Sequence, residues 1–95
     1  MRKFVVYMHV NKINGKKYVG ITCQDVKKRW GSNGGCYGGS PHFYRAIKKH
    51  GWHNFEHVII AIELTEDAAK ELEMKLIAEL DLRNPEYGYN ITAGG

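Results

Sequence analysis

The stretch FVVYMHVNKINGKKYVGI, residues 4–21, decides how the amino-terminal part of the chain folds. Two runs rich in β-branched and aromatic residues flank the Asn14-Gly15 step. Asn-Gly between such runs is typical of a β-hairpin, because both residues tolerate the positive φ angles of a type I′ turn. The sequence therefore predicts a hairpin whose two loop residues are Asn14 and Gly15.

This loop fixes which residues face each other across the hairpin. His9 is expected opposite Gly20, and Asn11 opposite Tyr18. Successive side chains of a strand point to opposite faces. One face then holds Tyr7, His9, Tyr18 and Gly20, and the other holds Phe4, Val6, Met8, Val10 and Val19. The apolar face predicts a core. In this register the two tyrosines are expected ~13 Å apart along the strands, at ~3.3 Å per residue.

Start and stop signals define a short helix after the hairpin. Thr22 or Asp25 can cap a helix over residues 26–30, and Gly31 ends it. The next segment, residues 31–39, contains five glycines and shows no hydrophobic period. That composition predicts a mobile loop without regular structure.

A second helix is predicted between Ser40 and Gly51. Ser40-Pro41 has the form of an N-cap followed by proline at the first helical position, and Gly51 suits the residue beyond the last turn. The helix places basic residues on one stripe at i, i+3 and i+7. These residues are His42, Arg45 and Lys49.

The last third of the chain predicts a strand followed by an amphipathic helix. Residues 55–63 are dominated by Val, Ile and Phe, and their β-branching favours a strand over a buried helix. Thr65 caps a helix that runs to about Leu80. At ~100° per residue the apolar residues of this helix form one arc, and Glu73 falls inside it. A carboxylate in an apolar arc is anomalous, which marks Glu73 as a candidate functional residue.

Length and composition exclude several classes of protein. Ninety-five residues with 43% apolar and 25% charged side chains suit one soluble globular domain, residues 1–95. Neither a bilayer-spanning run nor a signal peptide pattern is present, so a cytoplasmic protein is expected. Cys23 and Cys36 form no CxxC pair, so no zinc site is expected. The net charge of +4 favours polyanionic partners such as nucleic acid.

Several short motifs follow one another along residues 5–90. They are Val5-Val6-Tyr7, Tyr18-Val19-Gly20, Lys28-Arg29-Trp30, the segment 44–51, Asn54-Phe55, Glu73 and Gly88-Tyr89-Asn90. In this order they resemble the GIY-YIG nuclease superfamily, most closely the catalytic domain of phage and intron-encoded homing endonucleases. Val5-Val6 stands where the family name has Gly-Ile. The resemblance implies an α/β (α+β) domain with a small three-stranded antiparallel sheet flanked by helices.

The resemblance also implies a divalent-metal-dependent DNA endonuclease that hydrolyses phosphodiester bonds. Tyr7 is expected to accept the proton of the attacking water, and Tyr18 to position that water or the phosphate. Arg29 is expected to clamp the phosphate, because a guanidinium fork matches its geometry. Glu73 is expected to hold Mg²⁺ or Mn²⁺, whose other positions water and substrate fill. Arg29 and the metal are expected to lower the pKa of Tyr7 from ~10.

Five further residues are expected to assist. His42 could protonate the leaving oxygen or help a helix N-terminus hold a phosphate, although a plain surface histidine would look the same. Asn90 could bind a phosphate or orient the site, with an Asx turn as the alternative. Gly20, Arg45 and Lys49 are expected to contact the substrate.

Double-stranded DNA is the expected partner of such a domain. A non-catalytic nucleic-acid-binding module on the same scaffold is the alternative. The set Tyr7, Tyr18, Arg29 and Glu73 favours the nuclease, because binding alone does not require it. The sequence shows no helix-turn-helix or zinc finger, so a separate C-terminal DNA-binding region or a partner is expected to supply sequence specificity.

Overall fold

A computed structural model describes residues 3–92. The strands are β1 (Phe4–Asn11), β2 (Lys17–Thr22) and β3 (Phe55–Leu64), and the helices are α1 (Val26–Trp30), α2 (Pro41–His50) and α3 (Glu66–Glu79). The strands form one antiparallel sheet in the order β2-β1-β3. The predicted three-stranded antiparallel sheet with flanking helices is therefore confirmed. No helix within residues 3–92 is long and apolar enough to cross a membrane.

The hairpin forms, but its loop is longer than predicted. The Asn11 N–H donates to the Lys16 carbonyl at 2.8 Å, so residues 12–15 make the loop. Of the two expected loop residues only Gly15 has a positive φ, 77°, whereas a type I′ turn needs two. Asn14 instead accepts the Lys16 N–H through Oδ1 at 3.0 Å. A local side-chain hydrogen bond of this kind stabilises the wider turn.

The longer loop shifts the register of the hairpin by two residues. Tyr7 pairs with Gly20, and His9 pairs with Tyr18, so the predicted pairing of His9 with Gly20 is wrong. Because the shift is even, each side chain keeps its predicted face. Tyr7 and Tyr18 become diagonal neighbours across the strands, a relation that separates Cα atoms by ~7–8 Å. The expected ~13 Å separation along the strands is therefore wrong as well.

Both faces of the β1–β2 hairpin are covered by a core, although the hairpin pattern predicts a core on one face only. α3 covers the predicted apolar face, where the buried residues are Val6, Val19, Ala69, Ile77 and Leu82. The buried residues of the opposite face are mainly aromatic: Tyr7, Tyr37, Phe43, Ala46, Ile47, Phe55 and Tyr89. This second core forms because α2 and the glycine-rich segment bring apolar side chains onto the tyrosine face.

The glycine-rich segment is not the unstructured loop that its composition predicts. Residues Ser32–Tyr37 form 3₁₀ turns with a kink at Asn33 and Gly34, where φ is 52° and 74°. A Cβ atom on Gly34 would lie 2.6 Å from the Trp52 ring, so only glycine fits there. Tyr37 is fully buried and anchors the segment to the aromatic core.

Side-chain caps begin two of the helices as predicted. Asp25 Oδ1 accepts the Lys27 N–H at 2.9 Å, so Asp25 and not Thr22 caps α1. Thr65 Oγ1 accepts the Ala68 N–H at 3.2 Å at the start of α3. These caps determine where α1 and α3 begin, and these two helices carry the charged candidate residues.

Candidate active site

A cleft of about 300 Å³ beside β2 gathers the residues that the motifs single out. Tyr7 comes from β1, Tyr18 and Gly20 from β2, Arg29 from α1 and Glu73 from α3. The lining is completed by Ile21 and Lys70. Four separate elements therefore converge on one cleft, and they bring two phenols, a guanidinium and a carboxylate together.

Gly20 provides the space for Tyr7. A Cβ atom at position 20 would lie 2.6 Å from the Tyr7 hydroxyl oxygen and 2.7 Å from Cζ. Because the Tyr7 ring is fully buried, it has no free space to move into. Glycine is required at this position so that the phenol can cross β2 and reach the cleft.

The Tyr7 hydroxyl is buried and has no hydrogen-bond partner among residues 3–92. Burial raises the pKa of Tyr7, and the neighbouring Tyr37 hydroxyl and the charge of Arg29 oppose this shift only in part. Without a bound metal the pKa of Tyr7 is therefore raised and the phenol is protonated at neutral pH, and the lowering expected from Arg29 together with a metal stays a prediction. A buried polar atom without a partner, at the wall of a cleft, fits a site that water or a substrate oxygen completes.

Glu73 is the anomalous carboxylate of α3, and the structure buries it. The residue is 7% exposed and lies between buried Ala69 and buried Ile77 on the same helix face. Leu80 is exposed because α3 ends one residue before it. Glu73 thus reaches the cleft from within the apolar arc, as its helical position predicts.

The donor set fits Mg²⁺ or Mn²⁺ better than zinc. Within residues 3–92 no group of three or more His, Cys, Asp and Glu side chains could surround a metal ion. The cleft offers one carboxylate, Glu73, beside two phenol oxygens. Mg²⁺ is commonly bound through one or two carboxylates and keeps water and phosphate oxygens as its remaining ligands. A single glutamate that opens into a cleft suits that chemistry.

Arg29 is held in place by an aromatic ring that the sequence did not single out. Its Cζ atom lies 4.7 Å from the centre of the Tyr37 ring, and Nη1 donates to the Cys36 carbonyl at 3.4 Å. Tyr37 is buried, and its hydroxyl lies 2.7 Å from His9 Nε2. A cation over a fixed aromatic face loses little freedom when it binds an anion. The only sequence signal for Tyr37 is that it is the single aromatic residue in the glycine-rich segment.

His9 is buried behind the site and pairs with His57, which is only partly buried. Their Nδ1 atoms lie 2.8 Å apart, so one ring donates and the other accepts. Burial lowers the pKa of His9 to about 3, and the charges of His57 and Arg29 add to this effect. Burial also lowers the pKa of His57. The pair is therefore neutral at pH 7.

This pair predicts a loss of stability in acid. Between about pH 3 and pH 6.5 unfolded His9 binds a proton that folded His9 does not. The free energy of unfolding should therefore fall with falling pH in this range, by up to ~1.4 kcal/mol per pH unit. Urea denaturation followed by circular dichroism measures it. His9→Gln should flatten this dependence, whereas the exposed control His53→Gln should keep the wild-type slope. Equal slopes in all three proteins would contradict the prediction.

Tyr18 and Asn90 are fixed by contacts along β2. The Tyr18 ring stacks on Phe43 at 4.5 Å, and its hydroxyl lies 3.3 Å from Ser40 Oγ. Ser40 is the N-cap residue of α2 as predicted, but its side chain makes no cap hydrogen bond. The Asn90 side chain accepts the Val19 N–H at 3.1 Å and donates to the Val19 carbonyl at 2.9 Å. The alternative of an Asx turn at Asn90 is therefore wrong. Asn90 ties the tail to β2 between the residues that form the cleft.

Besides Asn90, three of the predicted site residues lie outside this cleft. His42 is exposed and lines a separate cleft of about 240 Å³ together with Lys16 and Arg83. Arg45 and Lys49 are exposed on α2 and line neither of these two clefts. The structure thus brings together the four main residues and Gly20, but it separates the basic stripe of α2 from them.

A protein-family model for the GIY-YIG catalytic domain matches residues 3–86. The match covers most of the chain, and the fold and the converging site agree with it. This chain belongs to the GIY-YIG catalytic-domain family.

Two relatives illustrate this membership. The solved catalytic domain of the intron endonuclease I-TevI, in a variant with one glutamate replaced by alanine, is 31% identical and has a TM-score of 0.77. The alignment covers 98% of this chain and 97% of that domain. The chain is also 34% identical over 90 residues to segE, a proposed endonuclease of Enterobacteria phage T4. That match covers 95% of this chain and 41% of segE, so the chain spans less than half the length of this relative.

Proposed function

We propose that this chain is a single catalytic domain that hydrolyses phosphodiester bonds of double-stranded DNA with the help of Mg²⁺ or Mn²⁺. One observation carries the proposal: Tyr7, Tyr18, Arg29 and Glu73 line the same cleft although they belong to four elements. Packing alone gives no reason for a buried carboxylate and an unpartnered phenol to meet a guanidinium. Family membership and the endonuclease relatives support the same reaction.

Arg29 and Glu73 supply the charges that phosphodiester hydrolysis needs. The Arg29 fork can donate two hydrogen bonds to non-bridging oxygens and so stabilise the charge that develops on the phosphate. Glu73 would hold the divalent ion, which supplies Lewis-acid stabilisation when it is bound. Tyr37 keeps the guanidinium aimed at the cleft by stacking beneath it. These residues bind and orient the scissile phosphate.

The two phenols act on the attacking water. Tyr18 positions that water or the phosphate, because its ring is locked against Phe43 and its hydroxyl faces the cleft region shared with Ser40. Positive charge gained in the cleft beside Arg29 would favour the ionised form of Tyr7, whose phenol proton leaves to solvent. The phenolate then accepts the proton of the attacking water. Gly20 and Asn90 orient this arrangement by making room for Tyr7 and by fixing β2.

A plasmid-nicking assay tests the proposed reaction. Supercoiled plasmid is incubated with the domain in Mg²⁺, in Mn²⁺ and in chelator, and DNA binding is measured in parallel by fluorescence anisotropy. We expect relaxed and linear products in metal only. Binding without nicking in any metal would contradict the proposal and favour a non-catalytic nucleic-acid-binding module.

Weak and salt-sensitive DNA binding is a further prediction. The domain has a net charge of +4 and no recognisable base-reading motif, so phosphate contacts should dominate. We expect affinities within the non-specific range of ~10⁻⁴–10⁻⁶ M for unrelated duplexes, falling as salt rises. Anisotropy with several duplexes at two salt concentrations measures this. Nanomolar binding to one sequence, insensitive to salt, would contradict the proposal that another region or partner supplies specificity.

A further inference from the structure

Three clefts beside β2 share lining residues with one another. The catalytic cleft of Tyr7 and Arg29 shares Tyr18 and Glu73 with a second cleft of about 320 Å³. This second cleft shares Tyr89, Asn90 and Ile91 with the third cleft, of about 240 Å³. Clefts that share lining residues are neighbours, and we call the row of three the groove. The groove leads away from Glu73 and past Asn90.

The far end of this groove is positively charged. Lys16, His42 and Arg83 line the third cleft, which we name the basic pocket, and no carboxylate is among its lining residues. The salt bridges of residues 3–92 include neither Lys16 nor Arg83. Two cations that no acidic side chain neutralises, and a histidine in the first turn of α2, therefore face the same space. Such a pocket attracts a compact anion.

We infer that the basic pocket binds a backbone phosphate that flanks the scissile phosphate on the same DNA strand. The inference rests on the proposed function, because the scissile phosphate must lie at Arg29 and Glu73. From there the groove is the path along which the strand continues. Lys16 precedes Tyr18 by two residues, ~7 Å at ~3.3 Å per residue, so the pocket lies close to the cleavage site.

The fork of Arg83 gives the pocket a directional contact, and Lys16 adds a point charge. His42 contributes a ring nitrogen to this phosphate and does not reach the cleft of Tyr7. Two roles were expected for His42. Its position in the basic pocket favours phosphate binding over protonation of the leaving oxygen.

Salt-dependent binding tests the pocket without any need for cleavage. Lys16→Gln, Arg83→Gln and the double variant are compared with wild type by anisotropy on one duplex in chelator. Each lost phosphate contact should reduce the slope of log affinity against log salt by about 0.9. We expect this reduction in slope once in each single variant and twice in the double variant. Lys75→Gln, an exposed lysine on the outer side of α3 that pairs with Glu79, is the matched control and should keep the wild-type slope.

Single methylphosphonates in a short duplex locate the contact, because the position of each cut reports where the domain was bound. A neutral phosphate at the flanking position should lower wild-type cleavage of the neighbouring bond several-fold, and it should leave cleavage of that bond by Arg83→Gln unchanged. Equal slopes in wild type, both single variants and the double variant would overturn the basic pocket, as would a methylphosphonate effect that persists in Arg83→Gln. A wild-type protein that binds without nicking would contradict the proposed function, while the slopes would still support or overturn the pocket.

Discussion

Glu73→Ala should abolish metal-dependent nicking while the domain stays folded. The substitution removes the carboxylate that we propose holds the divalent ion, and without that ion the charge on the phosphate loses its main stabilisation. Alanine favours the helix more than glutamate does, so α3 should persist. Single-turnover nicking and circular dichroism together measure both effects.

Glu71→Ala is the matched control for this experiment. Glu71 is exposed on α3 two residues away, so its loss removes the same charge from the same helix without touching the cleft. We expect the nicking rate of Glu71→Ala to equal that of wild type. Wild-type rates in Glu73→Ala, or an equal loss in both variants, would show that Glu73 is not the metal ligand.

Tyr7→Phe should slow nicking by ~10²–10⁴-fold, the range typical of a lost proton-transfer group. DNA affinity should change little, because the hydroxyl is buried and Arg29 remains. Stability should hold as well, since the hydroxyl has no hydrogen-bond partner in residues 3–92 and its removal leaves no other group unpaired. Single-turnover rates and anisotropy separate the chemical step from binding.

Gly20→Ala tests the role of Tyr7 in a second way. The added methyl group would overlap the Tyr7 phenol, so the ring must move away from its place in the cleft. Nicking should fall at least as far as in Tyr7→Phe. An unchanged rate in Tyr7→Phe would return Tyr7 to a packing role, whereas a rate loss in Gly20→Ala alone would indicate that the backbone of β2, and not the phenol, matters.

Much of the fold could be predicted because local signals determine it. Asp25 and Thr65 cap their helices through nearby backbone groups, and strand alternation places each hairpin residue on its face whatever the loop length. Glu73 stood out for a similar reason, because a charge inside an apolar arc is visible from helical periodicity.

The hairpin register could not be predicted from Asn14-Gly15 alone. A two-residue turn and a wider loop compete for this sequence, and the side chains of Asn11 and Asn14 decide the outcome by bonding to nearby backbone N–H groups. The separation of Tyr7 and Tyr18 depends on that choice. A small difference in turn energy therefore brings two candidate catalytic residues together.

Contacts between distant segments also had no local signal. Tyr37 supports Arg29 only because the glycine-rich segment folds back onto the aromatic core. Asn90 bonds to Val19, 71 positions earlier in the chain, and the path of the tail beside β2 creates the groove that reaches the basic pocket. Such contacts between distant residues depend on the assembled fold. They therefore cannot be predicted from the periodicity of the sequence.

The single-turnover nicking rate as a function of Mg²⁺ concentration tests most directly whether this cleft is a metal-dependent nuclease site. The protein is held at a concentration at which anisotropy shows the plasmid DNA to be bound, so that only the chemical step is measured. We predict that the wild-type rate rises from none in chelator to a plateau at saturating Mg²⁺, and that Glu73→Ala shows no rise over the same range. A wild-type rate that is the same in chelator and in Mg²⁺, or a plateau that Glu73→Ala also reaches, would contradict this assignment.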